Sequence, residues 1–205
     1  VIVATDDERI AAAAVGAGAQ AVMTRGDHVN GTSRIAEVIK MHGDRLADRI
    51  VNVQGDEPLL EPDAIDEAVE DATKHMETIV TLRRELSDRS LLLDPNVVKV
   101  VANMAGFAMY FSRSAIPALA NDFDELPSGL YYEHIGLYAY PKSTLMKLSR
   151  TAPSRLELAE KLEQLRALEH GVPIRVVDTK YRSISVDTVS DLEKVRALLA
   201  PSQGG

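Results

Sequence analysis

Gln54-Gly55-Asp56-Glu57-Pro58 places a carboxamide, a glycine and two carboxylates directly after the apolar run Arg49–Val53. A short β-branched run that empties into glycine and acids reads as a buried parallel strand leading into a site. Ligands of open α/β sheets sit beyond the carboxyl ends of such strands. Asp56 therefore stands where a metal-bound phosphate could sit. The plainer reading of the same five residues is a Gly-Asp turn, with Pro58 leading into the next helix. A second acid, Asp187, lies in Val186-Asp187-Thr188 just before the last predicted helix. A doubly wound sheet can gather two such positions at one edge, where two carboxylates could hold Mg²⁺, a hard cation that shares oxygen ligands with phosphates. Acids near a helix start are also favoured by the dipole and by capping, so Asp187 has a purely structural reading as well.

Four further groups carry possible chemistry. Met23-Thr24-Arg25 and Asn30-Gly31-Thr32-Ser33-Arg34 set hydroxyls, a glycine and two guanidiniums between a strand and a helix, a place to read a base or cradle an anion. The pattern is equally that of a loop and helix cap. In His134–Tyr140 the residues alternate, so His134, Gly136, Tyr138 and Tyr140 share one face while Ile135, Leu137 and Ala139 share the other. The first face offers an imidazole, a gap and two phenols to a sugar, or is a half-exposed sheet surface. Lys99 interrupts the apolar run Val97–Val101 and either meets solvent or points a charge into a site; Ser112-Arg113 closes the next strand in a similar way. Glu163 and Gln164 lie beside an apolar stripe of Leu158, Ala159, Leu162 and Leu165 on a predicted helix. The remaining histidines occupy loops and helix ends, and no HExxH or comparable spacing suggests zinc.

These residues need elements to hold them. Val1–Ala4, Gln20–Met23, Ile50–Val53, Glu77–Leu82, Val97–Val101, Gly106–Phe111, His134–Tyr140 and Ile174–Val177 read as strands. Thr5-Asp-Asp-Glu8 has capping-box spacing before an Ala-rich helix that stops near Gly16. Further helices are predicted over Arg34–His42, Pro62–His75, about 153–170 and 187–199. The second of these starts on a proline suited to the first helical position. The third opens on Pro153-Ser154-x-x-Glu157, with Glu157 and Lys161 at i,i+4. Strands alternate with helices through the first half, which predicts a parallel α/β sheet. The run either side of Asn103-Met-Ala-Gly106 reads as a hairpin, and residues 116–130 as a long loop or arm, so an antiparallel insertion is expected. No repeat or linker interrupts the 205 residues, which read as one domain.

Composition narrows the function. The net charge of −8 argues against a general nucleic-acid surface, though a few local Arg and Lys can still hold a small anion. With no cysteine, disulfides and thiolate chemistry are excluded. No apolar run approaches the roughly 20 residues of a membrane span, and a cytoplasmic location is expected.

Taken together and in order, these segments resemble one family. The segments are Met23-Thr24-Arg25, Gly31-Thr32-x-Arg34-x-Ala36-Glu37, Val51-Asn-Val-Gln-Gly-Asp-Glu-Pro58, Pro95-Asn-x-Val-Lys-Val-Val101, Tyr110-Phe-Ser-Arg113, Ile116-Pro117, His134-x-Gly-x-Tyr138, Leu162-Glu-Gln-Leu-Arg166 and Val186-Asp187-Thr188. The resemblance is to 3-deoxy-manno-octulosonate cytidylyltransferase, the CMP-Kdo synthetase of lipopolysaccharide assembly. It implies a doubly wound, mostly parallel, Rossmann-like nucleotidyltransferase sheet with an antiparallel insertion or arm. It also implies transfer of CMP from CTP to 3-deoxy-D-manno-octulosonate (Kdo), releasing pyrophosphate. By that likeness Asp56 and Asp187 hold Mg²⁺ and count, with Lys99, as catalytic. Thr24, Arg25, Gly31, Thr32 and Gln54 lie near the nucleotide. Arg113, His134, Tyr138, Glu163 and Gln164 line the Kdo pocket. The arm after Ile116-Pro117 helps to form a homodimer.

Two departures qualify the resemblance. Ser33 stands where the family usually has an acid. The family also opens with a strand and a basic loop of the form Pro-Ala-Arg…Ser-Thr-Arg-Leu-Pro-Gly-Lys-Pro-Leu, which cradles the CTP phosphates, whereas this sequence starts at Val1 in what resembles the family's second strand. The expectation is an N-terminal truncation of roughly one βα unit, on the order of 40 residues, which would leave the chain inactive and poorly stable through loss of a central strand. Three other readings remain: a cytidylyltransferase for a related sugar acid such as 8-amino-Kdo, a glycosyltransferase-like enzyme, and a non-catalytic sugar-binding homologue.

Overall fold

The computed structural model describes residues 1–119, 125–182, 185–186 and 188–200. In chain order the elements are β1 (Ile2–Thr5), α1 (Glu8–Gly16), β2 (Gln20–Met23), α2 (Gly31–His42), β3 (Arg49–Val53), α3 (Pro62–Lys74), β4 (Ile79–Glu85) and α4 (Arg89–Leu93). They continue with β5 (Lys99–Ala102), β6 (Ala108–Ser112), β7 (Tyr132–Pro141), α5 (Lys142–Leu148), α6 (Arg155–Glu160), α7 (Gln164–Glu169), β8 (Ile174–Asp178) and α8 (Val189–Leu199). Two compact units result: Val1–Asn52 with Tyr140–Ala152, and Val53–Ala139 with Pro153–Gly205.

In the first unit β1 and β2 pair in parallel, Ile2 opposite Gln20 and Thr5 opposite Met23, with α1 packed on them. The cap of α1 differs from expectation. Thr5 completes β1, and its hydroxyl accepts the Asp7 N–H at 3.1 Å. Asp7 is the N-cap, accepting from the Arg9 N–H at 2.8 Å. The Asp7 carboxylate reaches the second helical N–H from a β-region backbone, which suits a cap. Helix α2 begins at Gly31, three residues before the expected Arg34, because Asn30 takes the N-cap and accepts the Ser33 N–H at 2.9 Å. Ala36, Val38 and Ile39 bury its inner face, and α5 packs beside it.

The second unit carries the larger sheet, with strand order β6-β5-β7-β4-β8. Strands β4 and β8 are parallel; β7 is antiparallel to both β4 and β5, and β5–β6 is the expected hairpin. Ile79, Val80, Thr81 and Leu82 of β4 are all buried, as a central strand covered on both faces requires. Helix α3 presents Ala64, Ala68 and Ala72, one per turn, to this layer, and Pro62 sits at its first position. At the hairpin tip Gly106 has φ +78°, the left-handed backbone that favours glycine, and a Cβ there would also displace the end of the Arg175 side chain, 3.0 Å away. Leu86, Leu92 and Tyr131 form a small buried cluster on which Ala115, Leu119 and Leu126 pack, fastening both flanks of the expected arm; residues 120–124 lie outside the described residues.

The helix expected over 153–170 is broken. Lys161 adopts the left-handed conformation (φ 55°, ψ 47°), ending α6, and α7 starts at Gln164. In an unbroken helix Glu157 and Arg166, nine residues apart, would point to opposite sides about 13.5 Å along the axis. The break instead lets Arg166 reach back to Glu157 in a buried bidentate pair, its Nε donating at 2.7 Å. Glu157 therefore pairs with Arg166 rather than with Lys161. Its carboxylate also accepts the Ser154 N–H at 3.0 Å, which is the expected capping contact. Leu162 and Leu165 are buried as expected, but Leu158 is 65% exposed.

Candidate active site

In the first unit the β2–α2 connection holds the candidate base-reading residues. Arg34 Nη1 donates to the Thr24 hydroxyl at 2.7 Å and pairs with Asp6 at 3.0 Å. Glu37 accepts the Arg25 N–H at 3.2 Å and bonds the His28 ring through Nε2. The hydrogen bond from His28 holds the Glu37 carboxyl below its usual range, with the Arg25 amide and charge adding to it. Thr24 and Thr32 are buried, whereas the Arg25 side chain is exposed, and Gly31 opens the helix. The backbone around Arg25 is thus fixed while its guanidinium faces outward. Ser33 fills its position with local bonds: its hydroxyl donates to the Asn30 carbonyl at 2.9 Å and meets His28 Nδ1 at 3.2 Å. Arg34 and Glu37 act here as supports, a role their sequence motif alone did not distinguish.

In the second unit Gln54–Glu57 forms a turn closed by the Glu57 N–H on the Gln54 carbonyl at 3.3 Å. Asp56 is exposed on it. Its carbonyl accepts the Val186 N–H at 2.8 Å, so the segment ending at Val186 lies against the turn. Asp187 is outside the described residues. Gln54 and Glu57 approach Gly136 of β7, their side-chain atoms lying 3.8 and 3.6 Å from where a Cβ would stand. Two residues to either side are His134 and Tyr138, whose ring centroids are 5.3 Å apart. Gln54 thus lies beside Gly136, between the positions of His134 and Tyr138 on β7, and Glu57 joins it; nothing beyond its place beside Asp56 marked Glu57 in the sequence.

His134 is half-buried, with its ring packed against neighbours. Phe111 meets its ring edge-on at 5.0 Å, the Thr81 hydroxyl lies 2.9 Å from Nε2, and its N–H donates to the Val98 carbonyl at 2.8 Å. Burial pushes the imidazole pKa down to about 3 from 6.5. The unfolded chain therefore binds a proton that the native state refuses between those values, and stability falls as pH drops through that window. One proton is worth up to about 1.4 kcal/mol per pH unit. Urea unfolding followed from neutral to acid pH is expected to show this slope in the wild type and a shallower one in His134→Gln. Equal slopes would mean that the imidazole is not buried neutral.

Arg113, directly after β6, is held on several sides. Its N–H donates to Glu160 Oε2 at 3.0 Å, its Nε to the Glu160 carbonyl at 3.0 Å and its Nη1 to the Pro95 carbonyl at 3.0 Å. Glu160 also accepts from the Ser112 hydroxyl at 2.7 Å. Burial would raise the Glu160 carboxyl, but these donors outweigh it and hold it below its usual range. Glu163 and Gln164 sit half-buried at the α6–α7 junction, and α7 packs on β6.

Lys99, counted as catalytic by resemblance, is placed inside the fold. Its side chain is fully buried, and its ammonium donates to the carbonyls of Asp94, Val97 and Arg113. An ammonium has three donors, and all three are engaged. Lys99 thus clamps β5 to the Arg113 backbone, and burial lowers its pKa despite the Asp94 charge.

Parallel strands, covering helices and a Gly-acid turn after β3 define an α/β fold, and the comparisons give the class. A family model described as cytidylyltransferase matches residues 1–178. The 3-deoxy-manno-octulosonate cytidylyltransferase of Geobacter sulfurreducens (strain ATCC 51573 / DSM 12127 / PCA) is 51% identical, the match covering 95% of this chain and 80% of that protein. The enzyme of the same name from Solibacter usitatus (strain Ellin6076) is 48% identical over 98% of this chain and 78% of its own length. A CMP:2-keto-3-deoxy-manno-octonic acid synthetase solved in complex with CTP superposes with a TM-score of 0.87 at 38% identity, covering 98% of this chain and 80% of that one. A Bacillus anthracis protein 16% identical, with a TM-score of 0.61 over 97% of this chain and 74% of that one, shares the fold alone. The chain belongs to the cytidylyltransferase family, among the 3-deoxy-manno-octulosonate cytidylyltransferases.

Proposed function

We infer that this protein transfers CMP from CTP to Kdo. The observation that carries the reading is the 51% identity to a 3-deoxy-manno-octulosonate cytidylyltransferase across 95% of the chain, together with the fold of a CTP-bound synthetase. In the reaction a hydroxyl oxygen of the sugar acid bonds to the α-phosphorus of CTP. The bond from that phosphorus to the departing oxygen breaks, pyrophosphate leaves, and the hydroxyl proton passes to solvent. Such a transfer asks the protein chiefly for alignment and for neutralisation of charge.

Within this reading Thr24, Arg25, Gly31, Thr32 and Gln54 serve the nucleotide, with the exposed Arg25 side chain exchanging its pairs with Asp27 and Glu37 for the ligand. Arg113, His134, Tyr138, Glu163 and Gln164 serve the sugar acid. A guanidinium suits its carboxylate because the two present matching forks. Asp56 offers exposed carboxylate oxygens on a turn, a donor type that fits Mg²⁺, with Asp187 as the second ligand. When bound, that ion supplies neutralisation of phosphate charge. The reading includes a homodimer formed through the arm. It also includes a cytoplasmic location; among the described residues no helix is long and apolar enough to cross a membrane.

The substrate assignment is tested by offering CTP and UTP with Kdo, 8-amino-Kdo or N-acetylneuraminate and following products by ³¹P NMR. CMP-Kdo formed preferentially is the expected result. A preference for another sugar acid or another nucleotide would overturn the assignment.

A further inference from the structure

Strand β7 carries a bulge where it meets β4. Thr81 pairs with Tyr138, but the next residue, Leu82, pairs with Ile135, so Gly136 and Leu137 are extra residues on β7. Bulges leave backbone groups outside the ladder and re-aim side chains near sites. Here one side chain attends to the bulge. The Thr81 hydroxyl, fully buried, lies 2.7 Å from the Leu137 carbonyl and 3.2 Å from that of Ile135. The same oxygen lies 2.9 Å from Nε2 of His134.

A hydroxyl has one proton to give and lone pairs to receive. Carbonyls only accept, so the shorter contact, to Leu137, takes the proton. The contact to His134 must then run the other way, from an Nε2–H to the Thr81 oxygen. A neutral imidazole protonated on Nε2 leaves Nδ1 as a bare acceptor.

We propose that Thr81 is a positioning residue that holds His134 as the Nε2–H tautomer, so that Nδ1 accepts a hydrogen bond from a hydroxyl of the bound sugar acid. The sugar half of this statement rests on the proposed function; the tautomer half does not. Phe111 edge-on and the His134 backbone bond to Val98 restrict the ring further, so the hydroxyl sets the proton while the packing sets the plane.

Long-range ¹H–¹⁵N spectra of the wild-type protein at neutral pH test the first half without any variant. A protonated Nε2 and an unprotonated Nδ1 on His134 are expected; the opposite tautomer overturns the proposal. Thr81→Ser keeps the hydroxyl and should keep that spectrum. Thr81→Val removes it and should give a mixture of tautomers. In steady-state kinetics Thr81→Val is expected to raise KM for Kdo about tenfold with KM for CTP unchanged, and Thr81→Ser to restore it, the size of one lost hydrogen bond. A Thr81→Val enzyme with both KM values unchanged would overturn the positioning role. Equal rises in both would mark a general structural defect and overturn it as well. If Thr81→Val does not fold, the wild-type spectrum and the Thr81→Ser kinetics still decide. A protein that processes no sugar acid yet shows the Nε2–H tautomer would sink the functional reading and the hydrogen bond to sugar, leaving only the Thr81–His134 bond.

Discussion

Asp56→Ala is expected to lower turnover by roughly a hundredfold to a thousandfold, the loss that follows removal of one preorganised charge-stabilising group. The residue lies exposed on the turn after β3, and the bond it makes to Val186 uses its backbone carbonyl, which alanine retains. The substitution should therefore leave stability within about 0.5 kcal/mol, as exposed positions generally do. That separation makes the result readable. A large fall in kcat with an unchanged urea midpoint would support a role in phosphate chemistry. A rise in the Mg²⁺ concentration needed for half-maximal rate would place that role at the metal. Near-normal turnover would return Asp56 to a turn residue beside a site that lies elsewhere.

The second large effect is on stability. Glu157→Ala should destabilise the protein by about 3–5 kcal/mol, because it strands a buried guanidinium. The two side chains are only 11% and 6% exposed, and their pair is bidentate. Replacing both partners, as in Glu157→Leu with Arg166→Met, should recover most of the loss, since well-packed apolar residues often substitute for a buried pair. Burial would raise the Glu157 carboxyl, but Arg166 and the Ser154 N–H outweigh it and depress its pKa below 4.5. A depressed carboxylate contributes stability above its unfolded pKa and loses it as pH falls through the folded value. Acid unfolding should therefore shift in the wild type and not, by this cause, in the double variant. A Glu157→Ala protein as stable as the wild type would show that the pair does not hold α6 to α7.

Much of this was legible in the sequence because periodicity and punctuation report local structure. The strand Gln20–Met23, the hairpin around Asn103–Gly106 and the proline start of α3 follow from two-residue alternation, turn residues and a fixed φ. The broken helix at Lys161 was not legible. Its cause is a pairing of Glu157 with Arg166 across the break, which a single-helix pattern does not encode. Lys99 shows the same limit: a lysine inside an apolar run looks poised for chemistry, and only the carbonyls of Asp94, Val97 and Arg113 reveal a clamp. The bulge in β7 escaped notice for a different reason. Two extra residues preserve the alternation, so His134 and Tyr138 keep one face whether or not the bulge exists. Among the supporting residues, Arg34 and Glu37 stood in a motif that did not separate support from contact, whereas Thr81 and Glu160 carried no signal of their own, since each acts through a neighbour distant in the chain.

Pyrophosphate release from CTP tests the central claim most directly. It would be measured with and without Kdo and with and without Mg²⁺. Release that requires both Kdo and the metal, matched mole for mole by CMP-Kdo, is the predicted result. Pyrophosphate release that ignores Kdo, or no release under any of these conditions, would contradict it.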